Sequence, residues 1–172
     1  TIAGNASGVG GGLESFNGTV TVNQCTFTGN SAASLGGGLV NYSGTVTVNQ
    51  STVTGNSAVN SGGGIRNPST LNLFNSIVAG NSSGGNINIF GAYSPSGINL
   101  TSGDPLLAPL GNYGGPTPTQ PPLPTSPAID AGAASPFTTD QRGFPRPFSV
   151  APDIGAVDSQ ESHPLVTTTA DA

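Results

Sequence analysis

The sequence predicts an all-β fold: a right-handed parallel β-helix, a solenoid with three strands in each coil of about 26 residues. Two observations carry this. Gly-Gly-Gly followed by an aliphatic residue recurs at Gly10, Gly36 and Gly62, a spacing of 26 residues. Each copy also holds three short runs in which apolar and polar residues alternate, separated by Gly, Asn or Ser. A fixed period of this length marks a solenoid, a propeller or an array, and a propeller blade needs about 40 residues. Alternation at period 2 reads as strand, Gly and Asn clusters read as turns, and nothing in the period reads as helix.

The elements follow in order along each copy. Gly-Thr-Val-Thr-Val begins at Gly18 and Gly44, Asn-Gln-Cys or Asn-Gln-Ser at Asn23 and Asn49, and Gly-Asn-Ser-Ala at Gly29 and Gly55. A worn third copy runs from Ser69 to Ser83, and residues 86–110 read as further, irregular coils, for four to five coils over residues 1–110. Stacking the copies predicts inward ladders of Leu13, Leu39 and Ile65, of Val20, Val46 and Leu71, and of Phe27, Val53 and Val78. Asn5, Asn30, Asn56 and Asn81 share one register after Gly. They read as an amide ladder along the axis and as corner residues that tolerate the left-handed conformation. Cys25 stands where the next copies have Ser51 and Ser76, so it reads as a small buried residue rather than a bridging thiol.

Charge is sparse. Only 6% of the 172 residues are charged, and the net charge is −5 with three Arg and no Lys. That argues against nucleic acid as a partner. No apolar run is long enough to span a bilayer. The absent Met and the start inside a repeat read as a processed chain or part of a longer one. Glu14 and Arg66 share a register with Val40 between them, about 10 Å apart by coil spacing, and read as solvated surface residues.

Beyond residue 94 the composition shifts, with 14 of the 15 Pro in this part. Residues 111–172 are expected to form a Pro-rich, irregular segment and tail. Leu123, Ile129, Phe137, Phe144, Ile154 and Val157 supply enough apolar groups to pack the extended segment on the solenoid. Arg142 is expected to pair, with planar bidentate geometry, with Asp140, Asp153 or Asp130, so that the four form a clamp.

Five stretches in this region carry a resemblance. They are residues 104–110 (Asp-Pro-Leu-Leu-Ala-Pro-Leu), 114–119 (Gly-Gly-Pro-Thr-Pro-Thr), 126–132 (Ser-Pro-Ala-Ile-Asp-Ala-Gly), 139–147 (Thr-Asp-Gln-Arg-Gly-Phe-Pro-Arg-Pro) and 153–156 (Asp-Ile-Gly-Ala). Together with the repeats they resemble bacterial choice-of-anchor surface proteins of the Q-type. The resemblance implies a right-handed parallel β-helix that is secreted or attached to the bacterial cell surface. It implies no chemistry, and the chain ends in a polar tail, residues 166–172, where members of that family carry a sorting signal.

An enzyme is not expected. Lyase chemistry needs a carboxylate cluster for calcium and a base, and glycoside hydrolysis needs a carboxylate pair across a groove. The coils offer Glu14 alone, and the one His is His163 in the tail. No catalytic residue, metal ligand or cofactor is assigned. Thr19/Thr21, Thr45/Thr47, Thr26/Thr28 and Thr52/Thr54 read as outward rows, which resemble ice-binding faces but read better as exposed strand. Outward aromatic residues beyond Tyr42 are not expected. Sequons at Asn5, Asn17, Asn41, Asn49, Asn81 and Asn99 are weak glycan signals. The expected function is an extracellular structural subunit that stacks head-to-tail on itself. A monomeric piece of an adhesin is the rival, and surface glycans are the second partner class.

Overall fold

A computed structural model describes residues 1–85 and 87–160; Asn86, His163 and the tail 166–172 lie outside the described residues. It is a parallel β-solenoid of about four coils with no helix among the described residues. Four sheets run along the axis. Sheet A holds β1 (Ile2–Ala3), β5 (Thr26–Thr28), β9 (Thr52–Thr54) and β13 (Ile77–Val78). Sheet B holds β2 (Ala6–Ser7), β6 (Ser31–Ala32), β10 (Ser57–Ala58) and β14 (Ser82–Ser83). Sheet C holds β3 (Leu13–Ser15), β7 (Leu39–Asn41), β11 (Ile65–Arg66) and β15 (Ile89–Phe90). Sheet D holds β4 (Thr19–Asn23), β8 (Thr45–Asn49), β12 (Thr70–Phe74) and β16 (Ser94–Ser96). Leu100 adds one further bridge to Ile77 in sheet A.

The expectation of three strands per coil is corrected to four. Sheet B is the addition, made of two-residue strands from the Gly-Asn-Ser-Ala stretch. Two residues contain no alternation to detect, and the inward residues are only Ala32 and Ala58. The corner from sheet B to sheet C explains the Gly-Gly-Gly signature. Gly10, Gly36 and Gly62 have φ of 59°, 63° and 66°, a region costly for side chains. A Cβ on Gly37 would collide with the carbonyl oxygens of Ser57 and Gly63 in the next coil. Backbone rests on backbone there, so only glycine fits.

Inward side chains stack by register. Leu13 pairs with Leu39 and Leu39 with Ile65. Val20, Val46 and Leu71 form a second row, and Phe27, Val53 and Val78 a third. Val46, Leu71, Phe27, Leu39, Ile65, Val53 and Val78 are buried in one cluster. Leu13, Val20 and Ile2 of the first coil, and Ile89 and Tyr93 of the last, are only half-buried, because no described coil lies beyond them.

Between coils the polar groups are paired along the axis. Asn5 Nδ2 donates to Asn30 Oδ1 at 2.9 Å, Asn30 Nδ2 to Asn56 Oδ1 at 2.9 Å, and Asn56 Nδ2 to Asn81 Oδ1 at 3.0 Å. The backbone N–H of each Asn donates to that same Oδ1. Asn81 continues to Asn88, whose Nδ2 donates to Thr101 O, which closes the ladder. A second amide column runs from Asn41 Nδ2 to Asn67 Oδ1 at 2.8 Å and on to Ala92 O. In a third, Cys25 N–H donates to Ser51 Oγ, Ser51 N–H to Ser76 Oγ and Ser76 N–H to Asn99 Oδ1. Cys25 is half-buried, with its Sγ against Asn23 O.

These columns give a paired prediction. Asn56→Ala removes two acceptor contacts and the donor to Phe27 O from a fully buried site. It should lower unfolding stability by about 3 kcal/mol in urea titration, since each buried group left unsatisfied costs about 1–3 kcal/mol. Ser15 sits in register with Asn41; Ser15 Oγ and Asn41 Oδ1 are both buried without a partner. Ser15→Asn extends the column by one amide and should raise stability by about 1 kcal/mol in the same titration.

Candidate functional site

Charge on the molecule is concentrated in one place. Asp140, Arg146, Asp153 and Asp158 are buried, and the Arg142 side chain is 6% exposed. Residues 139–147 form a tight turn: Thr139 bridges Pro145, and Gly143 N–H donates to Asp140 O. The turn aims Asp140 inward. Its Oδ1 accepts the backbone N–H groups of Arg142 and Phe144, and its Oδ2 accepts that of Asp158. Arg142 Nε and Nη2 both reach Asp140 Oδ2, at 2.9 and 2.7 Å. The guanidinium therefore meets one oxygen, not the two-oxygen fork of the expected bidentate pair. Arg142 also lies over the Phe144 ring, 4.7 Å from its centroid.

A second ion pair joins Arg146 Nε to Asp158 Oδ2 at 3.0 Å. Arg146 Nη2 caps the carbonyls of Asp153 and Gly155. Sequence reasoning missed Asp158. Its signal is the apolar run Ile154-Gly-Ala-Val157 that leads into it, which is buried with Asp158 and leaves the carboxylate to be stabilised by Arg146 and two backbone N–H groups. Asp153 and Asp130 make no ion pair with Arg142. Asp153 Oδ1 accepts Asp130 N–H at 2.7 Å and Oδ2 accepts Ser159 N–H at 2.6 Å. Three carboxylates thus share two arginines, and Asp153 is held by backbone donors. Burial pushes its carboxyl up to about 6, against the lowering effect of those two hydrogen bonds.

Residues 133–156 touch the coils along one line. Gln24, Gln50 and Asn75 occupy the corner from sheet D to sheet A with φ of 48°, 40° and 44°. Gln24 Nε2 donates to Thr139 O, Gln50 Oε1 accepts from Ser135 Oγ at 2.8 Å, and Asn75 Nδ2 donates to Ala133 O at 2.7 Å. Ala156 N–H donates to Thr52 Oγ1, and Thr26 Oγ1 donates to Gln141 Oε1 at 2.7 Å. Gln141 Nε2 reaches Thr1 Oγ1, and Thr1 Oγ1 reaches Pro118 O. Ile77 and Ala79 meet Ala128 and Ile154 in a second apolar cluster.

Several expectations are corrected by this geometry. Thr26, Thr28, Thr52 and Thr54 point outward from the coil but are buried rather than exposed, because the C-terminal segment lies over sheet A. Thr19, Thr21, Thr45 and Thr47 remain on the outer face of sheet D. Arg66 is not simply solvated: it lies 5.2 Å from the Phe90 centroid with Nε buried and unpartnered, while Glu14 is exposed. Outward aromatics are more numerous than expected. Phe16 is 61% exposed and stacks on Tyr42 at 4.8 Å, and Phe74 lies on the outer side of sheet D. The sequons at Asn41 and Asn81 fall on buried ladder amides.

No group of His, Cys, Asp and Glu able to hold a metal is present among the described residues, and no helix of the described residues is long and apolar enough to cross a membrane. No family model matches the chain, and neither a curated protein nor a solved structure matches it.

The titration of Asp153 has a defined sign. Its folded value lies above the ordinary 3.8, so the folded state holds a proton that the unfolded chain has released between about pH 4 and pH 6. The stability this group confers is fully present below pH 4 and is lost as pH rises through 6. About 2–3 kcal/mol is at stake, at 1.36 kcal/mol per unit. Thermal melts at pH 4 and pH 7 should show a smaller loss of stability across that interval in Asp153→Asn than in the parent. An equal loss in both would remove Asp153 as the cause.

Proposed function

We propose that this chain is a non-enzymatic structural protein of the bacterial cell exterior, a right-handed parallel β-helix subunit that stacks head-to-tail. The observation that carries the reading is the first coil. β1 to β4 are the edges of all four sheets, and no described group donates to Asn5 Oδ1. Ile2, Leu13 and Val20 lie half-buried beneath that edge. An open row of strand edges over apolar rungs is a template for a further coil, from residues ahead of Thr1 or from a second copy; in this reading a second copy supplies it. A head-to-tail contact is heterologous and grows into a filament where its rotation does not close. The five C-terminal motifs support a place among choice-of-anchor proteins of the Q-type, and with it a surface location.

In this reading residues 111–160 are a clamp packed on the solenoid. Their hydrogen bonds to Gln24, Gln50 and Asn75 tie three coils together. The carboxylates serve that clamp: each accepts backbone N–H groups or an arginine in a buried cluster, and none of the buried three faces another carboxylate across an open groove. Among the described residues that leaves no acid–base pair of the kind glycoside hydrolysis uses.

Electron microscopy and sedimentation of the 172-residue chain test the stacking. Filaments that lengthen with concentration are expected, and Ile2→Lys, which puts a charge into the half-buried edge, should leave monomers. A parent chain that stays monomeric at high concentration would overturn the proposal.

A further inference from the structure

The outer face of sheet D carries the longest strands of the solenoid. Its strands are five residues long in β4, β8 and β12, about 17 Å across. Three outward columns run along the axis: Thr19, Thr45 and Thr70; Thr21, Thr47, Asn72 and Ser94; and Asn23, Asn49, Phe74 and Ser96. None of these residues is charged, and neither is any residue from 133 to 139 beside them. Most carry a hydroxyl or an amide, and the columns repeat at the coil spacing of about 4.8 Å.

At the edge where residues 133–139 come down, this face closes into a cleft of about 310 Å³ lined by Asn49, Phe74, Ser96, Pro136 and Phe137. Two phenyl rings and a proline make apolar walls. Asn49 contributes an amide with one Nδ2 hydrogen given to Asn23 Oδ1, while its Oδ1 has no partner among the described residues. At the opposite end of the strands, ahead of the turns at Gly18 and Gly44, stands the exposed Phe16–Tyr42 stack. The face is thus a neutral floor of hydroxyls and amides with aromatic groups at both ends.

We infer that this face binds a neutral polysaccharide, with one sugar ring seated between Phe74 and Phe137. A pyranose has an apolar C–H face and a rim of hydroxyls, which matches aromatic walls beside an open amide acceptor. A site of about 300 Å³ is at the small end for ligand pockets, right for one ring of a longer chain lying on the open sheet. The absence of charge selects against the occupants that a basic or acidic face would draw. Uronic polymers and nucleic acid find no cation here, and basic peptides find no carboxylate. The inference is independent of stacking, since sheet D faces sideways from the axis.

The test is retention of the 172-residue chain on immobilised cellulose, chitin, starch, mannan and xylan, with polygalacturonate as the charged control. Retention on at least one neutral polymer and none on polygalacturonate is expected. Phe137→Ala should weaken that retention at least tenfold, Phe137→Trp should keep it, and Tyr113→Ala, away from the cleft, should leave it unchanged. Thermal melts of each variant separate a lost site from a lost fold, and Phe74→Ala gives a second reading of the cleft from the solenoid side. Failure to bind any neutral polymer, equal binding of polygalacturonate, or binding that survives Phe137→Ala and Phe74→Ala in folded protein would overturn the inference.

Discussion

Everything in this molecule depends on the spacing between coils, about 4.8 Å, at which one turn of backbone must lie flat on the next. A polar group facing that gap has no water to turn to, so its partner must come from the adjacent coil. The solution is the same residue at the same place in successive turns. Asn30 and Asn56 each give an amide hydrogen to the coil on one side and accept two from the coil on the other. Glycine does the converse at Gly37 and Gly38, where any side chain would strike a carbonyl of the neighbouring turn. The repeat in the sequence is this constraint written out, and the apolar columns within it only have to fill the space that remains.

The same constraint explains why charge is excluded from the coils and gathered elsewhere. A charged residue in a stacked column would face its own copy one coil away at about 4.8 Å, a repulsion that grows as water is removed. Glu14 and Arg66 escape it because the adjacent rungs of their column are uncharged, Val40 between them and Phe90 beyond Arg66. The C-terminal segment has no repeat to satisfy its backbone, and its carboxylates take that role. Asp140 accepts three backbone N–H groups and Asp158 two, work that sheet ladders do in the coils. Two arginines then offset most of the buried negative charge, and the excess falls on Asp153.

The coils were legible because their residues repeat. Phe27, Val53 and Val78 could be aligned from spacing alone, and the four ladder asparagines likewise. Sheet B was not legible, since Ser31–Ala32 is too short to alternate and reads as part of a turn. The covering of sheet A was half legible. Its outer positions change from Thr26 and Thr52 to Ile77, a polar-to-apolar switch in one column that marks where Ala128 and Ile154 lie. Read as a worn copy, that switch instead looked like decay of the repeat. Asp158 and the cleft beside Phe137 depend on which parts of an irregular segment meet which coil, and no period encodes that.

The axial ladders also give the solenoid a direction. In the buried amide columns each Nδ2-to-Oδ1 link points toward the later coil, while Nδ2 of Asn30, Asn56 and Asn81 also reaches back to a carbonyl of the earlier one; the links end at Asn88 and Asn67, where Thr101 O and Ala92 O receive them. At the later end each of these columns thus finishes on a single backbone carbonyl. The earlier end keeps acceptors: Asn5 Oδ1 in one column and Asn41 Oδ1, beneath Ser15, in another. The edge around them is mixed, with N–H and C=O groups alternating along β1 to β4, so it pairs with a coil that arrives in the parallel sense and in register. The amide links thus give the ladder a direction, a polarity set by residues whose local task is only to turn a corner.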